Sequence, residues 1–198
     1  MENKPKGSNH CVRGLFALLF ELVGTFFLVY TIMAAYNSPF PVMLVLSILN
    51  ILGYRISAAH FNPAITFASL FKRNEDRFER RAAFFYILFQ CGGAFAGALF
   101  GLLEQGHYIY RLRVADDDKI FQAILIEIIG TFVYVLLHMI GTDYSTRLSQ
   151  DDLLNSFVMA AALGSAIIWG AGISGGCFNP ASGLFINIIG LFNSGHGD

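Results

Sequence analysis

The chain has 198 residues, 55% of them hydrophobic and 14% charged, with a mean hydropathy of +0.57 and a formal net charge of −1. A soluble domain carries about 25% charged residues, so this balance excludes an ordinary water-soluble globule and fits a chain whose solvent is mostly lipid. The charge is patterned between apolar runs and calls for no nucleic-acid partner. Cys11, Cys91 and Cys177 lack a CxxC pair or a histidine at ligand spacing and support neither a disulfide frame nor a metal site.

In chain order, the first apolar run covers residues 12–36, after a polar stretch at 1–10. It is long enough to span and lacks a small-residue cleavage site, so it reads as a retained helix rather than a signal peptide. Further spans are expected at residues 40–56, 82–103, 120–141 and 153–171. Two shorter apolar stretches, 62–71 and 179–192, cannot cross. Each opens with Asn-Pro, an N-cap followed by the residue favoured at the first helical position, so both are expected as half-helices. The expected architecture is an all-α membrane protein with five transmembrane helices and two re-entrant half-helices, forming a single domain over 1–198.

With the N-terminus inside, the inner segments hold Lys4, Lys6, Arg13, Arg55, Lys72, Arg73, Arg77, Arg80, Arg81 and Arg147, and the outer ones Arg111, Arg113 and Lys119. That bias sets the orientation, and the two half-helices then enter from opposite faces. The chain also repeats itself. Glu21-Leu-Val-Gly-Thr-Phe26 returns as Glu127-Ile-Ile-Gly-Thr-Phe132, and each copy leads through a second span to a Ser-containing loop and Asn-Pro-Ala. The repeats, about 12–103 and 119–192, are therefore inverted, an arrangement that places a site at the midplane where the half-helices meet.

The triplets Asn62-Pro63-Ala64 and Asn179-Pro180-Ala181, with Ser57-Ala-Ala-His60-Phe61 before the first, resemble the major intrinsic protein family of aquaporins and glycerol facilitators. The resemblance implies an aquaporin-like fold with Asn62 and Asn179 offering amide donors to a passing oxygen at the positive ends of two half-helices, which opposes proton and cation passage. It also implies that Glu21 and Glu127 accept hydrogen bonds from the re-entrant loops and that His60 fixes its loop. Gln90 matches a family position as well. Read from the residues alone, each glutamate also admits the lesser reading of an acid reaching solvent near a helix end, and Gln90 that of an interhelical hydrogen bond.

Two features depart from the family pattern. Ser182 stands where water-selective members place a filter arginine, and counting back from the asparagines puts the other filter positions at Val42, Ile167 and Gly176 or Cys177. An open pore there is expected to be wider or drier than a strict water channel. Only 19 residues follow Asn179, so the chain resembles a divergent, truncated member lacking the sixth span. Two readings stay open. One is a channel for water or small neutral solutes such as glycerol or urea. The other is a non-conducting structural subunit, with another membrane subunit, or further copies in a homo-oligomer, covering the gap. No enzyme, cofactor or metal is called for, and the sequence does not name the membrane.

Overall fold

A computed structural model of the chain describes residues 8–72, 79–105 and 112–192. Hydrocarbon offers backbone N–H and C=O groups no partner, so apolar runs of this length close their hydrogen bonds internally as helices. Seven α-helices are seen among the described residues: α1 (Ser8–Ala34), α2 (Pro39–Ser57), α3 (Pro63–Ser69), α4 (Arg80–Gln105), α5 (Ile120–Thr142), α6 (Asp152–Gly170) and α7 (Pro180–Phe192), with a 3-10 turn before α5. Five of them, α1, α2, α4, α5 and α6, are long and apolar enough to cross a bilayer.

The ends have local causes. α1 begins earlier than its apolar run and stops at Ala34, because Tyr36 and Asn37 turn to positive φ and the Asn37 N–H reaches back to the Ile32 carbonyl at 2.7 Å. Asp151 caps α6 by accepting from the Leu153 N–H at 2.8 Å. α3 is shorter than its apolar stretch and ends at Ser69.

α2 and α6 cross at the centre, α1 packs on α2 and α4, and α5 packs on α6. Asn50 of α2 donates to the Ser156 carbonyl of α6 at 3.4 Å. α3 and α7 enter between these helices from opposite sides, so the half-helices meet in the interior as the inverted repeat predicts. At one end Arg55 pairs with Asp152 at 2.7 Å, Arg147 with the same carboxylate at 3.2 Å, and Lys72 donates to Thr142 at 3.3 Å. At the other, Asn37 donates to the Gly175 and Gly176 carbonyls at 2.7 and 3.0 Å, and the Arg113 backbone lies beside Gly175. The basic residues thus segregate as the topology requires; Lys4, Lys6, Arg73, Arg77 and Arg111 lie outside the described residues.

α1 and α4 make the closest pair. A Cβ at Gly93 would stand 2.2 Å from the Leu22 carbonyl oxygen, and one at Gly97 2.5 Å from that of Phe26. Only glycine lets the two backbones approach this far. α5 has no such companion among the described residues, and its outer face, with Phe121, Ile128 and Phe132, is exposed.

Candidate functional site

Each half-helix starts from a loop shaped by the same device. In the first loop Ala58, Ala59 and Phe61 take positive φ; in the second Gly175, Gly176 and Phe178 do. Such a backbone aims successive N–H groups to one side, and a glutamate collects them. Glu21 accepts from Ser57 Oγ at 2.5 Å, the His60 N–H at 3.0 Å and the Phe61 N–H at 2.7 Å. Glu127 accepts from Ser174 Oγ at 2.5 Å, the Cys177 N–H at 3.0 Å and the Phe178 N–H at 2.9 Å. The phenylalanines then fill the space that Gly24 and Gly130 leave open: a Cβ on either glycine would stand 2.1 or 2.2 Å from the ring.

The asparagines lie where the loops converge. Asn62 Nδ2 donates to the Phe178 carbonyl and Asn179 Nδ2 to the Phe61 carbonyl, both at 2.9 Å. Their Oδ1 atoms accept from the Ala64 and Ala181 N–H groups at 2.8 and 3.1 Å, capping α3 and α7. Pro63 and Pro180 occupy the first helical positions, where a missing N–H costs nothing. Each amide therefore uses one N–H to hold the opposite loop, which leaves one rather than two for any solute. Asn62→Asp or Asn179→Asp sets a carboxylate oxygen against a buried carbonyl, with an expected loss of about 3 kcal/mol. Thermal unfolding in mild detergent checks this, and variants that melt with the wild type contradict the reciprocal clamp.

His60 is fixed through both ring nitrogens, Nδ1 to Thr66 Oγ1 at 3.1 Å and Nε2 to Ser69 Oγ at 3.3 Å. Gln90 Nε2 reaches Glu21 Oε2 at 2.7 Å and Thr66 Oγ1 at 2.8 Å. Glu21 and Thr66 are consequently sealed, and neither exposes any surface.

The expected filter positions divide. Val42 and Ser182 expose nothing and Ile167 1%, and the Gly176 backbone packs against Ile167. The Cys177 Sγ approaches the Asn179 carbonyl at 3.0 Å, lies where a Cβ on Gly183 would come within 2.9 Å, and borders a side groove. The groove, of about 580 Å³, runs along α5 and also reaches Asn179. A second cavity, of about 610 Å³, opens at the basic end beside Tyr54, Ala58 and Lys72. Partial burial there pushes the Lys72 ammonium below its ordinary range, with nearby Asp143 acting in the opposite sense.

Sequence reasoning did not single out Asn37, Thr66 or His138. Asn37 was legible as an Asn-Ser-Pro turn signal, although its clamp on the second loop reaches residues 138 and 139 positions away. His138 is buried with its ring 6.0 Å from that of His60 and carries no motif of its own.

Comparison with known proteins adds a third line. A sequence profile described as major intrinsic protein matches residues 39–191. Two Arabidopsis thaliana proteins, aquaporin PIP2-1 and probable aquaporin PIP2-5, are each 32% identical over 141 residues, covering 68% of this chain and 48% of theirs. The chain thus spans about half the length of the curated relatives it matches. The crystal structure of an aquaglyceroporin from Plasmodium falciparum superposes with a TM-score of 0.70 at 18% identity, over 92% of this chain and 84% of that one, a likeness of fold.

Proposed function

The chain belongs to the major intrinsic protein family, and on that premise we propose that it forms a membrane channel for water or small neutral solutes, with glycerol and urea as candidates. The observation that carries this reading is the reciprocal pair of bonds between Asn62 and the Phe178 carbonyl and between Asn179 and the Phe61 carbonyl. It sets two half-helix N-termini end to end, and their aligned N–H dipoles favour a solute oxygen and oppose a cation. In this reading each asparagine gives its remaining N–H to the solute, and Val42, Ile167, Gly176 and Ser182 form an uncharged filter without histidine or aromatic side chains.

Stopped-flow light scattering of proteoliposomes under water and glycerol gradients tests it, with Asn62→Asp and Asn179→Asp as controls. Widening the filter with Val42→Ala and Ile167→Ala is expected to raise glycerol permeability about tenfold, equivalent to ~1.4 kcal/mol off the barrier. Unchanged permeability removes these side chains from the path.

The tight closure around Val42, Ile167 and Ser182 favours a second reading, a non-conducting subunit of a larger membrane assembly. A flat response from correctly inserted protein, together with copurifying membrane subunits, selects it. A homo-oligomer that conducts returns the first.

A further inference from the structure

The helical spacing of α5 brings Tyr134, His138 and Thr142 onto one face, each a turn from the next. The Tyr134 and His138 rings meet edge to face with centroids 6.3 Å apart, and His138 meets His60 of the first re-entrant loop at 6.0 Å. One turn on, Thr142 Oγ1 donates to the His138 carbonyl at 2.9 Å and Thr142 borders the 610 Å³ cavity at the basic end. Ala58 and Lys72, which border the same cavity, lie within electrostatic reach of the imidazole. Glu21 lies within such reach of the Tyr134 hydroxyl. The two side chains thus run from the loop that Glu21 holds to the cavity.

Both are 1% exposed, yet Tyr134 Oη has no hydrogen-bond partner among the described residues, and neither ring nitrogen of His138 is placed to complete a bond. Most buried hydroxyls and imidazoles are paired, because an unpaired one gives up its hydration without return. The fold does not demand polarity at these places. In the first repeat the same positions hold Leu28 and Ile32, which are equally buried and carry no polar atom. Polar groups at membrane depth that find no partner in the protein are suited to a solute that supplies the missing bonds.

We propose that Tyr134 Oη and His138 form a hydrogen-bonding station on the basic-end side of the paired asparagines, selecting solutes whose hydroxyl groups both donate and accept. The inference rests on the channel reading above and gives its solute a second recognition point beyond the asparagine amides. A phenol hydroxyl donates and accepts, and a neutral imidazole donates at one nitrogen and accepts at the other. Water or a polyol such as glycerol answers both.

The test uses the 198-residue chain in proteoliposomes. Tyr134→Phe keeps the ring and removes one oxygen, and is expected to lower glycerol permeability about fivefold, the effect of one hydrogen bond to the solute. Its thermal unfolding in mild detergent is expected to match that of the wild type, since the hydroxyl supports nothing in the protein. Tyr134→Cys and His138→Cys, each in a chain with Cys11, Cys91 and Cys177 changed to Ala, are expected to react with a small water-soluble methanethiosulfonate. Phe132→Cys, on the exposed outer face of the same helix, is the unreactive control. Unchanged glycerol permeability in Tyr134→Phe overturns the station and keeps the channel. Cysteines at 134 and 138 that react no faster than the control overturn it too, as does a Tyr134→Phe protein that melts well below the wild type. A wild-type chain that passes neither water nor glycerol while both cysteines react rejects the channel reading and keeps the station as a hydrated pocket.

Discussion

Glu21→Leu is expected to unfold the first half of the protein's centre. The substitution strips the acceptor from Ser57 Oγ–H, the His60 and Phe61 N–H groups and the Gln90 amide at once, in a site without solvent. Each buried donor left unpaired costs about 1–3 kcal/mol, so the loss is on the order of 4 kcal/mol or more, a large share of a typical folding free energy. Glu21→Gln keeps the volume and one acceptor oxygen, and about half that loss is expected. Glu127→Leu is the internal comparison: three donors lose their acceptor, Ser174 has the Gly170 carbonyl at 3.5 Å as an alternative, and the site borders a groove. Thermal unfolding of the three variants in one detergent is expected to rank them Glu21→Leu, Glu127→Leu, Glu21→Gln from least stable upward. A Glu21→Leu protein as stable as Glu127→Leu shows that Gln90 adds nothing to the first site.

The second large effect is expected at the α1–α4 contact. Gly93→Ala drives a methyl group to within 2.2 Å of a backbone carbonyl, and Gly97→Ala to within 2.5 Å. Backbone inside a helix pair cannot step aside, so the helices must separate, at about 3 kcal/mol for each site. Gly101→Ala meets the Met33 Cβ, which its own backbone fixes, at 2.9 Å, and Gly92→Ala nothing nearer than 3.8 Å. Gly92→Ala is expected to cost about 1 kcal/mol or less, and Gly101→Ala a loss between that and the Gly93→Ala value. Separation of α4 from α1 also draws Gln90 away from Glu21. Gly93→Ala and Glu21→Gln should therefore be non-additive, with a coupling of about 1 kcal/mol in a double-mutant cycle. Additive losses place the packing contact and the polar contact in independent regions.

Much of this was legible from composition and spacing. The five spans were marked by apolar runs of bilayer length, and the half-helices by Asn-Pro at the head of runs too short to cross. The inverted repeat was marked by Glu-x-x-Gly-Thr-Phe recurring on opposite sides of the basic-residue bias. These signals are local or periodic, and hydrocarbon leaves the backbone few alternatives to a helix. The glutamates were visible as acids inside apolar helices, and the family resemblance indicated their partners. The departure at Ser182 was equally plain.

What the sequence did not carry was direction at short range. Cys177 and Gly176 are neighbours in one loop, and the alternating φ signs send one to the groove and the other to Ile167. The asparagine amides had two N–H groups each on paper, and the meeting of the loops engages one of each with the opposite carbonyl. Asn37 became a clamp because the first interhelical turn lies against the second re-entrant loop.

The sequence by itself therefore determined the solvent, the helices and the two-fold plan, because each follows from how many apolar residues run together and where charge interrupts them. Tertiary structure alone decided that Val42, Ile167 and Ser182 are buried, that Glu21 is sealed by Gln90, and that Glu127 borders an open groove. Those outcomes depend on which atoms of distant segments come within hydrogen-bonding or van der Waals reach, a matter of ångströms that no residue pattern records.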